Sequence, residues 1–532
     1  DEKTLPWRLP FILVFAGTFV YVSRFVPQEQ IVFDHLQVGT SEVVHAVEGW
    51  SGFITVEDQG GETVLKINRM FQGSTRQTQQ GTAAHIPAIL HGQPDEVLVI
   101  GLGAGQTAER FLMHNPKHLD IVEIEDPMML FDVIVDPEFN SQRRELTIKG
   151  FNAQEWVLPG FQDGRLRVIW DDGRTYVRHA NQQYDVISVE VGQVFRPGVS
   201  AFYTREFYRD VKERLKDDGV VSQFLPLEFL GKEQFAKAVR TFVREFPDSQ
   251  LWYNTSELLM IGSKSQRGVK GKQPWLTAGR LGKALLTRNP DGSRTAVQKD
   301  LVFSYWGGYR NNLTNPDVFL GGFLMGSKGL AALADDGGVY TDDHPELEYF
   351  RRENLDYHRP VVELLRDNLE DVTTIIPKIS DGSAGSAHVI REKNLNHIVA
   401  KQFTDTARQI YIAGDTNINM AMQAIALGED KNVVQPQIDV GMRLLKESIA
   451  YMKYAENLLP EFTEATFNRS AMLERLQQLA PQLADPSVEV EVVSAAILAQ
   501  HYDEETRACL LKTVQIDPDH NLAHNKLATR WH

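Results

Sequence analysis

The chain has 532 residues, 42% hydrophobic and 24% charged, which implies several folded cores and excludes collagen-like, coiled-coil or wholly disordered architecture. Its formal charge of -16 argues against a nucleic-acid binder; it suits a cationic substrate, and equally plain solubility. The single cysteine, Cys509, excludes an internal disulfide framework and a thiolate zinc cluster and is compatible with a reducing compartment.

At the amino terminus, Leu9 to Ser23 is an uncharged run between Arg8 and Arg24. It is shorter than the ~20 apolar residues that cross a bilayer, but Leu5 to Val26 reaches that length if both arginines extend to the interface. The expectation is a membrane anchor and linker over residues 1–40, with the soluble domains cytoplasmic; a buried or interfacial helix is the other reading. The chain starts at Asp1 rather than Met, which suits a processed or truncated product.

Next, "GFITVED" and "TVLKINRMF" flank Gly60 and Gly61 and predict a β-hairpin, hence a small β domain over residues 41–80. From Glu96 strand and helix alternate. Strands are expected at Glu96 to Gly101, Leu119 to Glu125, Arg165 to Trp170, Tyr184 to Glu190 and Gly219 to Leu225. Their Val/Ile runs, separated by helical stretches, predict a parallel sheet covered on both faces. Phe235, Val239, Phe242, Val243 and Phe246 recur at helical spacing and place a helix against it. Ser249 to Asn254 and Glu257 to Ser263 read as the antiparallel pair closing a seven-stranded, class I methyltransferase-like (Rossmann-type) α/β sheet over residues 81–263.

The basic, glycine-containing stretch Gly262 to Gln273 reads as a linker into a mixed extension, residues 264–378. "ISDGSAGSAH", Ile379 to His388, marks another break, and residues 379–532 read as helical. Met442, Leu445, Ile449, Met452 and Leu459 line one helix face. "LKTVQIDPDHNLAHNKLA" has the helix, Asp-Pro, helix form of a tetratricopeptide (TPR) repeat, although its echo places Pro460 and Pro518 58 residues apart. A TPR-like helical domain that meets a protein partner is the expectation.

The chemistry concentrates at strand ends. "VLVIGLGAGQT" puts Gly101, Gly103 and Gly105 after the first strand, where glycines permit a tight turn and close approach of a ligand to the backbone. The second strand ends in "VEIE", placing Glu123 to accept from both ribose hydroxyls of a nucleoside; an exposed strand-end acid is the plainer alternative. The third ends in "WDDG", where Asp172 either accepts from an adenine amino group or makes an Asp-Gly turn. Together they predict a nucleoside site at the carboxyl edge of a parallel sheet.

On these residues the chain resembles the spermidine synthase family of aminopropyltransferases, and more closely the bacterial spermidine-synthase-like proteins fused to membrane-spanning segments. The resemblance runs from about Glu48 to Ser263 through "HIPAILHGQPDEVLVIGLGAGQT", "VEIE", "DDGRTYV", "YDVIS" and "GVSAFYTREFYRDVKERLKDDGVVSQFLP", with "YTDDHPELEYF" beyond it. It implies transfer of an aminopropyl group from decarboxylated S-adenosylmethionine to a small amine, with a base after the fourth strand, usually within Asp-x-x-Asp. Glu190 falls at the first of those positions and Gln193 at the second. The family's Gly-Gly-Gly-Asp-Gly loop stands here as Gly101-Leu102-Gly103-Ala104-Gly105, so the acid that meets the donor's ammonium is absent. Such a pocket discriminates less against ordinary S-adenosylmethionine.

Gln79 stands where synthases usually carry tyrosine, and Gln80 matches a residue the family places near the donor. Tyr203 is expected either to wall the amine site or to pack in the core. His85 reads as packing. Asp342, Asp343 and His344 read as a solvated turn or pocket rim rather than a metal site, and no metal is expected. Asn140 to Val157 is a candidate lid or partner surface. Three functions stay open: an aminopropyltransferase, an S-adenosylmethionine-dependent methyltransferase on the same fold, and a non-catalytic subunit of a membrane assembly. Homodimerisation is open as well.

Overall fold

The computed structural model describes residues 42–49, 52–58, 63–74, 79–125, 164–265, 274–302, 304–306, 309–334, 337–350, 356–484 and 487–531. The apolar amino-terminal run, the candidate lid and most of the linker after Ser265 lie outside them. The chain divides into two compact units, Asp1–Ala84 with Asp95–Asn181, and His85–Pro94 with Gln182–His532.

In the first unit, β1 (Glu42–Glu48), β2 (Phe53–Asp58), β3 (Thr63–Ile67) and β4 (Met70–Ser74) form an antiparallel sheet in chain order. The expected hairpin is its centre, with Asp58 paired to Thr63 across the glycine pair, and a strand is added on each side. Asn68 and Arg69 turn β3 into β4 at φ of 51° and 66°, the left-handed backbone of a two-residue hairpin loop. Helix α1 (Gln79–His91), of which only Gln79 to Ala84 belong to this unit, leads into β5 (Glu96–Ile100), α2 (Gln106–Leu112), β6 (His118–Glu123), β7 (Leu166–Trp170) and α3 (Gly173–His179). The strands β5, β6 and β7 are parallel neighbours in that order. Val97, Leu98, Val99 and Ile100 are all buried, as a strand covered on both faces requires.

The second unit holds β8 (Tyr184–Val189), α4 (Arg205–Arg214), β9 (Leu215–Leu225), α5 (Lys232–Glu245), β10 (Ser249–Asn254) and β11 (Glu257–Ser263). A short ribbon of β12 (Ser304–Trp306) and β13 (Tyr309–Asn311) precedes β14 (Phe323–Met325). Sheet order is β14-β10-β11-β9-β8, parallel between β8 and β9 and antiparallel elsewhere. The sequence predicts β5 to β11; β14 is an additional strand, and it covers the edge of the fully buried β10. On α5, Phe235, Val239, Phe242 and Phe246 are fully buried, so the predicted apolar face is the packed face.

The carboxy-terminal region is helical: α6 (Asp381–Ala426), α7 (Lys431–Leu458), α8 (Thr463–Leu483), α9 (Glu489–Ile516) and α10 (Asn521–Trp531). The glycine- and serine-rich stretch at Ile379 is no linker inside this region. Ser380 caps α6, and Asp381 to His388 are its first turns. With α6 of 46 residues and α7 of 28, the helices are too long for a two-helix repeat of about 34 residues. The helices α6 and α7 cross tightly at Gly414 and Gly441: a β-carbon on Gly414 would stand 2.9 Å from the Gly441 carbonyl oxygen. Among the described residues no helix is long and apolar enough to cross a membrane.

Candidate functional site

In the first unit the predicted nucleoside residues come together at one sheet edge. Gly101, Gly103 and Gly105 take φ of 94°, 53° and 73°, a conformation that penalises any side chain with a β-carbon. The turn is pinned by the Gly105 N–H donating to the Leu102 carbonyl at 2.9 Å. It is also pinned by Glu123, whose Oε2 accepts from the Leu102 N–H at 2.7 Å. The other oxygen, Oε1, accepts from the Glu125 N–H at 2.9 Å. Glu123 is 7% exposed, so the exposed-acid alternative fails. Burial raises its pKa, and the backbone N–H donors oppose that shift. A carboxylate offers about four acceptor positions, and the backbone N–H groups fill only part of them.

The Asp171 N–H donates to the Glu123 carbonyl at 3.2 Å, which ties the end of β7 to the end of β6. Asp172 caps α3: its Oδ1 accepts from the Thr175 N–H at 2.8 Å and the Thr175 hydroxyl at 2.9 Å. The turn reading therefore holds for Oδ1, and Oδ2 is the oxygen that an adenine amino group would use. Gln79 opens α1. Its neighbour Gln80 accepts from the Thr107 hydroxyl through its carbonyl at 3.3 Å, and its side-chain Oε1 is buried without a hydrogen-bond partner.

Gln106, which the sequence reading missed, behaves alike. Its amide nitrogen donates to the Ser74 carbonyl while Oε1 is buried and unpartnered. A β-carbon on Gly73 would meet both the Ala104 Cβ at 3.1 Å and the Gln80 side-chain Nε2 at 4.0 Å, which places Gln80 beside the glycine loop. Unsatisfied buried acceptors of this kind fit a ligand with donors, as the amino end of an adenosyl sulfonium nucleoside has. The signal for Gln106 was its place directly after Gly105, at the first position of α2.

In the second unit Glu190 directly follows β8, half-buried, and its Oε1 accepts from the Ser188 hydroxyl at 2.7 Å. Gln193 is half-buried in the loop beyond, and its carbonyl accepts from the Arg196 N–H at 2.9 Å. Tyr203 does not wall a substrate pocket. The ring is fully buried, and its hydroxyl is shared between the carbonyls of Val191 at 2.8 Å and Phe224 at 2.9 Å. Burial, with the nearby charges of Glu257 and Glu190, raises the phenol pKa, so Tyr203 stays a donor that pins the loop behind Glu190.

The stretch "YTDDHPELEYF" braces the same loop. Asp342 accepts from the Thr204 hydroxyl at 2.7 Å; Glu348 accepts from the Gly198 N–H at 2.7 Å and the Ser200 hydroxyl at 2.9 Å. Asp342, Asp343 and His344 are all exposed in a turn, in keeping with the solvated-turn or rim reading, and Asp342 in addition ties that turn to Thr204. His85 is buried with Nε2 3.1 Å from Asp300, in keeping with packing. Donor atoms of His91, Asp185 and Asp218 lie within 4.8 Å of one another, and the Lys216 ammonium, 2.9 Å from Asp185, already supplies the positive charge there.

The glycine turn, the buried strand-end acid and the Asp172 cap lie at the strand ends of a parallel α/β arrangement. Residues 77–255 match the spermine/spermidine synthase domain. The chain is 25% identical over 172 residues to a polyamine aminopropyltransferase of Ruegeria sp. strain TM1040, covering 32% of this chain and 54% of that one. It is 32% identical over 143 residues to a polyamine aminopropyltransferase of Nitrosomonas europaea, covering 26% and 37%. The aligned part thus spans about half or less of the length of these relatives. A solved spermidine synthase from Thermotoga maritima aligns over 49% of this chain and 87% of its own at 21% identity and a TM-score of 0.36.

Proposed function

We propose that the chain is an aminopropyltransferase that moves an aminopropyl group from decarboxylated S-adenosylmethionine to a small amine. The names of its relatives support the reaction type. The observation that carries the reading is Glu190, a carboxylate held at the carboxyl end of β8 inside the matched segment. In this reading Glu123 holds the donor's ribose, Asp172 the adenine amino group, and the side-chain oxygens of Gln80 and Gln106 the amino end. Glu190 takes a proton from the acceptor's ammonium, and the freed amine attacks the terminal carbon next to sulfur. The carbon–sulfur bond breaks, its electron pair stays on sulfur, and neutral methylthioadenosine leaves.

Gln193 removes a charge that the family uses to hold a distal ammonium, so acceptor affinity rests more heavily on Glu190. The long helices α6 to α10 suit a protein partner, and the row Val490, Val493 and Ile497 on α9 is exposed and apolar, which supports that part of the proposal. Membrane attachment through Leu9 to Ser23 completes the reading, supported by the uncharged run alone.

The test is chromatography of nucleoside products after incubation with decarboxylated S-adenosylmethionine and putrescine, spermidine or 1,3-diaminopropane. Methylthioadenosine is expected, and Glu190→Gln should lower its release by about a hundredfold or more. Release of S-adenosylhomocysteine from ordinary S-adenosylmethionine, without methylthioadenosine from the decarboxylated donor, would replace this reading with a methyltransferase.

A further inference from the structure

Ser188 is out of place by composition. It sits in a strand otherwise made of Tyr184, Asp185, Val186, Ile187 and Val189, and all six residues of β8 are buried. A hydroxyl in such a setting costs free energy unless it is hydrogen-bonded. Register pairs Ser188 with Ser222 on the parallel neighbour β9, so the two hydroxyls lie on one face of the sheet. Ser222 is fully buried and its Oγ has no partner, so it offers Ser188 no bond. The group that satisfies Ser188 is the carboxylate two residues on, Glu190, through the 2.7 Å bond from Oγ to Oε1.

Two-residue spacing is what makes this contact available, because positions i and i+2 of an extended chain project to the same side. The bond also answers a problem that Glu190 creates. Glutamate has one more rotatable bond than aspartate, and a base displaced by about 1 Å loses on the order of a hundredfold in rate. A donor fixed in the rigid core of β8 selects one carboxylate orientation.

We infer that Ser188 is a positioning residue for Glu190: its buried hydroxyl fixes the carboxylate and holds it ionised. The inference rests on the reading of Glu190 as base. The bond is charge-assisted, which makes it stronger than one between neutral groups. Removing it makes the carboxylate easier to protonate and takes away this constraint on its rotamer.

The experiment measures methylthioadenosine release by the full chain from decarboxylated S-adenosylmethionine and putrescine, spermidine or 1,3-diaminopropane. Rates are followed from the acidic into the alkaline range for wild type, Ser188→Ala, Ser188→Cys, Ser188→Thr and Glu190→Gln. The expected result for Ser188→Ala is a roughly tenfold lower kcat, an unchanged KM for the donor, and an acid limb of the pH profile moved up by about one pH unit. Ser188→Cys, closer in volume and a weak donor, should move the acid limb in the same direction, which keeps the test valid if alanine unsettles the core. Ser188→Thr keeps the hydroxyl and should restore the wild-type acid limb.

An unmoved acid limb in both Ser188→Ala and Ser188→Cys, with Glu190→Gln still inactive, overturns the inference alone and reduces Ser188 to packing. Wild-type rates from Glu190→Gln, or no methylthioadenosine from the wild-type chain, overturn the base assignment and the inference with it.

Discussion

The Thr204 hydroxyl donates to Asp342 at 2.7 Å across 138 residues of chain. Together with Glu348, which receives Gly198 and Ser200, that bond clamps both ends of the segment from Gly198 to Thr204, in the loop that begins at Glu190. Tyr203 pins the same loop from the core side through Val191. The residues after Glu190 therefore owe their position to a part of the sequence that lies outside the matched domain segment.

Glu348→Ala tests this brace. It removes one carboxylate that receives two hydrogen bonds, each worth roughly 1.5–3 kcal/mol when an ionised group is involved. The loop should loosen while the nucleoside residues of the first unit are untouched. The expected outcome is a roughly tenfold fall in kcat for methylthioadenosine release with methylthioadenosine affinity unchanged by calorimetry. A parallel loss of nucleoside affinity would show that the brace serves the whole fold rather than the loop.

Glu123→Ala acts on the other half of the chemistry. The side chain receives the Leu102 N–H at 2.7 Å and so shapes the glycine turn as well as offering acceptors to a ribose. On the proposed ribose role, loss of this carboxylate should weaken adenosyl nucleoside binding by about tenfold to a hundredfold. Glu123→Gln keeps acceptor capacity on one atom only and should fall between the two. Calorimetry with methylthioadenosine reads this without requiring turnover, and wild-type affinity in Glu123→Ala would remove the ribose role.

The legible parts were those where local pattern and global fold agree. Glycines at positive φ, the interval to Glu123 and the apolar runs of β5 and β8 carry their structure in the sequence, because each is dictated by backbone sterics or by burial on two faces. Position Tyr203 was ambiguous, since an aromatic ahead of a helix packs or lines a pocket depending on what faces it. Its partners, Val191 and Phe224, come from different strand ends. The brace from Asp342 and Glu348 was illegible for the same reason: its bonds span 138 to 150 residues, and no periodicity encodes such a contact. Ser380 illustrates the converse, a helix cap hidden inside a stretch whose glycines read as a break.

Ala104 offers a gain-of-function test. Position 104 lies between two left-handed glycines, and the neighbouring acceptors Gln80 and Gln106 are neutral amides. A neutral amide can accept from an ammonium or donate to a carboxylate, so it discriminates little between decarboxylated and ordinary S-adenosylmethionine. Ala104→Asp adds a negative charge, which attracts the ammonium of the first and repels the carboxylate of the second. The ratio of affinities should move toward the decarboxylated donor by about tenfold or more. Competition of each nucleoside against methylthioadenosine measures it; an unchanged ratio would place the donor's tail away from the loop.

In the second unit the sheet meets the helices at a buried tyrosine–histidine pair. The Tyr253 hydroxyl on β10 lies 2.6 Å from Nδ1 of His397 on α6, and the imidazole packs edge-on to Phe462 at 4.9 Å. Burial, helped by the Lys401 ammonium and opposed by Asp405, lowers the His397 pKa from 6.5 to about 3. The folded chain thus keeps this imidazole neutral where the unfolded chain charges it. Because the folded pKa is depressed, its stabilising contribution is fully present above about pH 6.5 and is lost progressively as pH falls toward about 3. Between about pH 6.5 and pH 5 the linkage amounts to roughly 2 kcal/mol. His397→Gln removes the titration, so its urea midpoint should change less than that of the wild type as pH is lowered through this window. Equal slopes for the two proteins would show that His397 is protonated in the folded state, against the buried neutral pair with Tyr253.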